Sequence, residues 1–259
     1  MAKPTRREQR VTSNDVNQAV ILAAGEGTRL GPLTKDFPKP LLPIKNKPVI
    51  HHVIDILGAA GIQQLNIVIG YKAEKIRSYL NSVKLKANIN YAYQPEALGS
   101  GDALLCARKL IDKDRPFLVT AADTVFKAVE LKKMIDVFRQ EKPDAIVALR
   151  LIDRNELIRR SCVHLNPDGS IKHLIEKPMP RELPLHNMSV LPVFMFSNNF
   201  WRFFDKLKPS AEGYYQIATA IQDCIDSGGL VKGFEFKFSQ DLTYPQDILR
   251  HNFDYLNKL

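Results

Sequence analysis

Short apolar runs and amphipathic segments alternate along most of the chain. Largely apolar runs at 19–24 and 117–122 are typical of strands buried on both faces of a parallel sheet. Segments 49–57 and 129–139 instead place apolar residues three or four positions apart, which predicts helices with one buried face. The alternation of the two patterns, with short links, predicts a parallel sheet covered by helices.

The remaining segments are assigned in the same way. Predicted strands span 19–24, 65–69, 89–94, 117–122, 145–152, 191–196 and 230–238, with a hairpin of 162–165 and 171–175 around a turn at 166–169. Predicted helices span 49–57, 73–80, 100–110, 129–139, 200–207, 216–226 and 245–256. No repeat or low-complexity linker interrupts this order, so we expect a single domain over residues 18–259.

Five prolines between positions 32 and 48 interrupt the pattern. Each proline removes a backbone N–H and disfavours the helical conformation in the residue before it. We therefore expect an ordered loop without helix in this stretch. Ordered loops of such length are usually functional.

The net charge and the composition of the chain exclude only a few kinds of binding partner. The formal net charge of +9, from 37 Lys and Arg against 28 Asp and Glu, favours an anionic ligand. The sequence has no basic amphipathic helix and no apolar run that could cross a bilayer, so we expect neither nucleic-acid nor membrane binding.

Residues 1–17 are polar and basic and predict a flexible tail rather than a secretory signal. Three scattered cysteines predict free, buried thiols and a cytoplasmic location.

The turn that follows the first predicted strand is rich in glycine. Gly25 and Gly27 expose backbone N–H groups that suit an anion. Two common phosphate-binding patterns do not fit, because the dinucleotide fingerprint needs glycine where Leu30 stands and a P-loop needs a Gly-Lys pair. Taken alone, the turn suits either a phosphate site or a plain tight turn.

The turn and the proline-rich loop together resemble the motif of the nucleotidyltransferase family that makes nucleotide-sugars. The matching positions are Gly25, Gly27, Thr28, Arg29, Leu30, Pro32, Leu33, Thr34, Pro38, Lys39, Pro40, Leu41, Pro43, Ile44 and Pro48. The resemblance covers about residues 18–256 and implies a Rossmann-like, three-layer α/β fold with a mostly parallel sheet and a small acceptor-binding insertion. It implies that Arg29 and Lys39 contact the phosphates of a nucleoside triphosphate. The residues that would wrap this triphosphate are Leu22, Ala24, Gly25, Gly27 and Thr28.

A second motif, from Gln94 to Leu104, resembles the base-reading segment of the family. The resemblance implies that Gln94 and the backbone of Gly99 read a uracil or thymine edge, with Ser100 beside the nucleotide. From the residues alone, Ser100 also suits the capping position of a helix.

Two aspartates are the implied ligands of a magnesium ion. Asp123 follows a buried strand, at the edge where open α/β sheets bind ligands, and the family carries a metal-binding aspartate in this context. The segment from Ser239 to Asp247 resembles a late family motif whose first aspartate, here Asp241, completes the metal site. Tyr244 departs from that motif, which usually has threonine there.

The tripeptide Glu176-Lys177-Pro178 resembles the acceptor site of the family. There the glutamate contacts sugar hydroxyls and the lysine contacts the acceptor phosphate. The sugar pocket departs from the family pattern, because residues 190–192 are Val-Leu-Pro where Asn-Ala-Gly is frequent. Tyr214 and Thr219 likewise replace acidic residues. The acceptor therefore stays open between a sugar phosphate and another phosphate.

The implied reaction transfers a nucleoside monophosphate from UTP or dTTP to a sugar 1-phosphate, releases pyrophosphate and uses Mg²⁺ as cofactor. The implied residues are Arg29, Lys39, Asp123 and Lys177 for catalysis, Glu176 and Lys177 for the acceptor, and Asp123 and Asp241 for the metal. A cytidylyltransferase acting on a small phospho-alcohol such as phosphocholine stays open, as does a catalytically silent nucleotide-sugar binder. Self-association into a homo-oligomer is also open, and we expect no appended acyltransferase module of the kind that some relatives carry.

Overall fold

The computed structural model describes residues 16–256. In chain order its strands are β1 (Gln18–Ala23), β2 (Pro43–Ile44), β3 (Lys47–Pro48), β4 (Gln64–Ile69), β5 (Asn88–Tyr93), β6 (Phe117–Ala121), β7 (Thr124–Phe126), β8 (Ala145–Leu151), β9 (Ser161–Leu165), β10 (Ile171–Glu176), β11 (Met188–Phe196), β12 (Val231–Glu235) and β13 (Ser239–Asp241). The helices are α1 (Leu33–Asp36), α2 (Val49–Ala59), α3 (Ala73–Ser82), α4 (Ser100–Cys106), α5 (Ala128–Glu141), α6 (Arg154–Leu157), α7 (Trp201–Phe204), α8 (Ile217–Asp226) and α9 (Pro245–Leu256).

The main sheet runs in the order β12-β8-β11-β6-β1-β4-β5. Strands β6, β1, β4 and β5 are parallel to one another, and β8 is parallel to β12. Strand β11 runs antiparallel to both of its neighbours, β6 and β8. The β9–β10 hairpin joins the first half of β11 through the pair of Ser189 with Cys162. The predicted α/β fold with a mostly parallel sheet is confirmed.

Helices cover both faces of this sheet and bury two apolar layers. On one face lie α2, α3 and α5, and on the other lie α4, α7 and α8. Strand β1 shows why its run is apolar: Val20 points into one layer, while Ala19 and Ile21 point into the other. With both faces covered, the interior of the strand has no position that faces solvent.

The proline-rich stretch contains short helical turns, so the expectation of a loop without helix was wrong. Helix α1 begins after Pro32, whose φ of −59° is already helical. It ends at Asp36 because Phe37, the residue before Pro38, is extended. A single 3-10 turn, Lys39–Leu41, follows. Helical structure is thus confined to the intervals that the prolines leave.

Two residues of the predicted tail belong to the folded part of the chain. Val16 is buried, and oxygens of Asn17 accept hydrogen bonds from the backbone N–H groups of Gln63 and Gln64. The remainder of the predicted tail, residues 1–15, lies outside the described residues.

The three cysteines are free, but only two of them are buried as expected. Burial raises the pKa of the Cys162 thiol to about 11 and that of the Cys224 thiol to about 12. Cys106 is half-buried, because it ends α4 beside the 3-10 turn Arg108–Leu110, where a longer helix was predicted.

Candidate active site

A cavity of about 580 Å³ opens at the carboxyl ends of β1 and β6. Its lining also includes the start of α4, the β9–β10 hairpin and the adjacent part of β11. Every residue that the sequence predicted for the site except Lys177 lines this cavity: Leu22, Ala24, Gly25, Gly27, Thr28, Arg29, Lys39, Gln94, Gly99, Ser100, Asp123, Glu176 and Asp241. Segments far apart in the chain therefore meet where open α/β sheets bind their ligands.

The glycine turn brings the two predicted phosphate contacts to one wall. Gly27 has a φ of +70°, and a Cβ there would lie 3.0 Å from the Cβ of Lys39. Glycine thus permits both the turn and the close passage of the lysine. Arg29 lies in the 3-10 turn that follows, Thr28–Leu30. The Lys39 ammonium forms an ion pair with Asp123 across the cavity wall.

Gln94 is buried with its side-chain amide in a fixed orientation. Its Nε2 donates to the carboxylate of Asp102 at 2.7 Å and to the carbonyl oxygen of Gly99 at 3.2 Å. A carboxylate can only accept, so Asp102 determines which end of the amide is the donor. The amide oxygen of Gln94 is left as an acceptor at the cavity.

A small two-stranded sheet, missed from the sequence, places the two predicted metal ligands side by side. Strand β13 pairs with β7, with Asp241 opposite Thr124, and the N–H of Leu242 donates to the carbonyl oxygen of Asp123 at 3.3 Å. Both strands have three residues, which is too short for a periodic pattern to reveal.

Two arginines that sequence reasoning missed hold Asp241. The nitrogens Nη1 and Nη2 of Arg150 donate to its two oxygens at 2.9 and 3.2 Å, and Nη1 of Arg160 donates to Oδ2 at 2.9 Å. The hydroxyl of Thr243 donates to the same Oδ2 at 2.8 Å. Burial alone would raise the pKa of Asp241, but its hydrogen bonds and charge contacts with the arginines hold that pKa well below its usual range. A signal was available, since Arg150 is a charge inside the apolar run 145–152.

The two aspartates differ in their fitness for Mg²⁺. Within residues 16–256 no group of three or more acidic, histidine or cysteine side chains could hold a metal by itself, so substrate phosphates would have to supply ligands. Each oxygen of Asp123 has one partner, Lys39 or Thr124, and keeps room for another. On Asp241, Oδ2 accepts three of the four bonds and Oδ1 accepts one, and the guanidinium groups of Arg150 and Arg160 lie against the carboxylate. Asp123 therefore fits a metal ligand better than Asp241, where a cation would meet two guanidinium groups.

The side chains of Glu176 and Lys177, at the end of β10, lie in different environments. Glu176 lines the cavity and accepts a hydrogen bond from the hydroxyl of Ser161 at 3.3 Å. The Lys177 side chain is 66% exposed, does not line the cavity, and lies 3.8 Å from Glu212. The structure thus brings together the nucleotide residues and Glu176, but leaves the predicted acceptor lysine outside.

A mostly parallel sheet with a cationic cavity at the carboxyl ends of its strands is the arrangement in which open α/β proteins bind anionic ligands. The family model described as "Nucleotidyl transferase" matches residues 18–258, and the chain belongs to that family. The predictions of the family and of an enzyme are therefore confirmed.

Relatives and solved structures agree with this assignment. The chain is 34% identical to the UTP–glucose-1-phosphate uridylyltransferase AglF of Haloferax volcanii, over 89% of this chain and 93% of that protein. It is 33% identical to the bifunctional protein GlmU of Methanococcus maripaludis over 93% of this chain, but spans only 55% of that relative. A UDP-glucose pyrophosphorylase crystallised with UDP-glucose shares the fold, with a TM-score of 0.85 over 95% of this chain and 100% of that one, at 24% identity.

Proposed function

We propose that this enzyme transfers a nucleoside monophosphate from UTP or dTTP to a sugar 1-phosphate and releases pyrophosphate. The observation that carries the proposal is one cavity that holds both a base-reading glutamine, Gln94, and a phosphate wall of Arg29, Lys39 and Asp123. Relatives whose names specify UTP and glucose 1-phosphate support the same pair of substrates.

The base preference follows from the orientation of Gln94. Uracil and thymine present a donor at N3, which the amide oxygen of Gln94 can accept. Cytosine presents an acceptor at N3, so CTP would leave two acceptors facing each other, which costs about 1–3 kcal/mol when buried. UTP or dTTP is therefore the expected donor.

The proposed chemistry is an in-line displacement at the α-phosphorus. A phosphate oxygen of the acceptor forms the new O–P bond, and the bond from the α-phosphorus to the bridging oxygen breaks, with its electron pair leaving on pyrophosphate. Arg29 and Lys39 stabilise the charge on the departing pyrophosphate, and Gln94 fixes the base. We propose that Asp123 holds Mg²⁺ together with the substrate phosphates, where the ion would neutralise phosphate charge.

The deciding experiment measures pyrophosphate release for UTP, dTTP, CTP, ATP and GTP, each with glucose 1-phosphate, N-acetylglucosamine 1-phosphate and phosphocholine. We expect release with UTP or dTTP and a sugar phosphate. Preference for CTP with phosphocholine would establish the cytidylyltransferase alternative. Nucleotide-sugar binding without release under any combination would establish the silent binder.

The location of the enzyme is part of the proposal. Among the described helices, none has the length and apolar character needed to cross a bilayer. We place the enzyme in the cytoplasm because its three cysteines are unpaired, as suits a reducing compartment. Independence from nucleic acid and the oligomeric state stay predictions.

A further inference from the structure

The acceptor end of the cavity carries three arginines. Arg150 comes from β8, Arg159 and Arg160 come from the segment between α6 and β9, and all three line the cavity. The carboxylates at this end are Glu176 and Asp241, so positive charge is in excess. A wall of this kind recognises anions.

The surroundings of Asp241 are those of a buried support for arginine. Arg150, Arg160 and Thr243 donate four bonds to it, one to Oδ1 and three to Oδ2. A metal ion there would lie against two positively charged guanidinium groups, and displacing either from its charge-assisted hydrogen bonds would leave a costly unpaired charge. Arg150 is the better buried of the two arginines, and its Nε has no partner among the described residues.

The outer part of the cluster keeps unused donors. Arg150 and Arg160 share the carboxylate of Asp241, and Arg160 forms a further ion pair with Glu156. The guanidinium of Arg159 lines the cavity and makes no ion pair or hydrogen bond with the rest of residues 16–256, so its charge has no partner there. Arg160 uses Nη1 on Asp241, and its Nε lies 3.7 Å from the exposed Glu156, so Nη2 stays available.

We propose that Arg159 and Arg160 bind an oxyanion of the acceptor, and that Arg150 and Asp241 are positioning residues that hold Arg160 at the cavity wall. The inference rests on the proposed function and gives its acceptor site a chemistry, namely the forked N–H donors that match phosphate or carboxylate oxygens. The oxyanion is either the attacking phosphate or a second acidic group on the sugar.

Apart from the arginines, the cavity lining near Glu176 offers an acidic acceptor no other cation among the described residues. Val190, Pro192 and Phe194 line this part of the cavity and present mostly carbon atoms. Lys177, the residue predicted for the acceptor phosphate, lies outside the cavity lining. The arginines are therefore the cations best placed to meet an acidic acceptor.

The first experiment compares Arg159→Gln and Arg160→Gln with the control Arg250→Gln, an exposed arginine of α9 outside the cavity lining. KM is measured for glucose 1-phosphate, glucuronic acid 1-phosphate and UTP. Each cavity variant should raise an acceptor KM by about tenfold or more, as expected for a lost charge-assisted hydrogen bond, and leave the UTP KM unchanged. A rise with both acceptors identifies the phosphate as the oxyanion, and a rise with the sugar acid alone identifies the carboxylate. Unchanged acceptor KM values in both variants would overturn the proposal.

A binding measurement separates failure of this inference from failure of the proposed function. UDP-glucose, UDP-glucuronic acid and UMP are titrated calorimetrically into the wild type and Arg159→Gln. If the wild type releases no pyrophosphate, the proposed function is wrong, yet weaker binding of either UDP-sugar to the variant, with UMP unaffected, still supports the arginine site. Equal binding of both UDP-sugars to the wild type and the variant contradicts it.

A third experiment tests whether Asp241 affects binding of the acceptor or binding of the metal. Asp241→Asn is compared with Asp205→Asn, which breaks the ion pair of Arg108 with Asp205 outside the cavity. We expect a higher acceptor KM with no change in the Mg²⁺ concentration for half-maximal rate. A raised Mg²⁺ requirement with an unchanged acceptor KM would make Asp241 a metal ligand. Should Asp241→Asn fail to fold, Thr243→Val, which removes one donor to the same carboxylate, is scored in the same way.

Discussion

Among single residues, one carboxylate orients the side chain of Gln94, the proposed base reader. Asp102 lies in the first turn of α4 and accepts from Nε2 of Gln94 at 2.7 Å. Asparagine at 102 can donate as well as accept, so only the longer bond to the Gly99 carbonyl, at 3.2 Å, would still hold the Gln94 amide in this orientation. The proposed discrimination between uracil and cytosine would then be weaker.

We expect Asp102→Asn to reduce the preference for UTP over CTP by about tenfold, within the 1–3 kcal/mol of a mismatched buried acceptor pair. The measurement is kcat/KM for both nucleotides with one acceptor. Asp226→Asn is a matched control, because Asp226 accepts from the Gln222 amide at 2.7 Å on the exposed side of α8, away from the cavity. An unchanged UTP/CTP ratio would show that Asp102 does not govern base choice.

Asp123 is the proposed ligand of Mg²⁺. Its carboxylate keeps room for a metal and neutralises Lys39, and asparagine would preserve its shape while removing its charge. We expect Asp123→Asn to lower kcat by more than tenfold, or about 1.4 kcal/mol in the barrier, and to raise the Mg²⁺ concentration needed for activity. A variant that keeps over a tenth of the wild-type kcat, with normal Mg²⁺ dependence, would exclude Asp123 as the ligand.

Local sequence motifs predicted some residues of the cavity and missed others. Gln94, Asp123 and Asp241 were found because local sequence around each resembles a family pattern, and the cavity contains all three. Arg150 and Arg160 were not predicted for the site, because their role depends on contacts with Asp241 that form only when the chain folds. Lys177 shows the converse, since its motif is present but its side chain points elsewhere.

At the scale of elements, Gly99 joins the start of α4 to the segment before α8. Its φ is +108°, and a Cβ there would lie 2.3 Å from the carbonyl oxygen of Tyr215. That carbonyl accepts from the N–H of Gly101 at 2.8 Å, and the N–H of Tyr215 donates to Leu98 at 2.8 Å. A side chain at 99 would therefore break two backbone links at the edge of the nucleotide site.

We expect Gly99→Ala to lower the free energy of unfolding by about 2 kcal/mol or more, from the positive φ together with the clash. Gly213→Ala is the matched control, because its φ is +84° but a Cβ there would meet nothing within 4 Å. The control should lose only the strain, about 1 kcal/mol. Equal losses in urea unfolding would mean that the contact with Tyr215 does not matter.

Element prediction succeeded where period and length were sufficient. The long strands and helices around α2, β4 and α5 match their predicted spans closely, because each buries a clear apolar face. The short pairs β2–β3 and β7–β13 were missed, since two or three residues carry no period. Helix α1 was wrongly excluded because one turn fits between prolines without violating either.

At the scale of the whole molecule, β11 connects the two halves of the cavity. Its second half pairs with β6, which leads to Asp123, and its first half pairs with β9, while β8, which carries Arg150, pairs with both halves. One apolar layer spans the same boundary, since it contains Val163 of β9 and Leu174 of β10 together with Phe117 of β6, which stacks on Trp201 of α7 at 4.9 Å between ring centroids. The antiparallel direction of β11 was not predictable, because an apolar run does not reveal which way its neighbours point.

This continuity bears on the expectation of a single domain, which stays a prediction. We expect one cooperative unfolding transition, because neither half of the cavity can open without exposing the layer that holds Phe117 and Trp201. The chain has a single tryptophan, so fluorescence reports on that layer while far-UV circular dichroism reports on all helices. Both probes should give the same midpoint in urea, and the calorimetric and van't Hoff enthalpies should agree. Two separated midpoints, or a folded fragment that survives limited proteolysis without β9 and β10, would show instead that the acceptor hairpin is an independent unit.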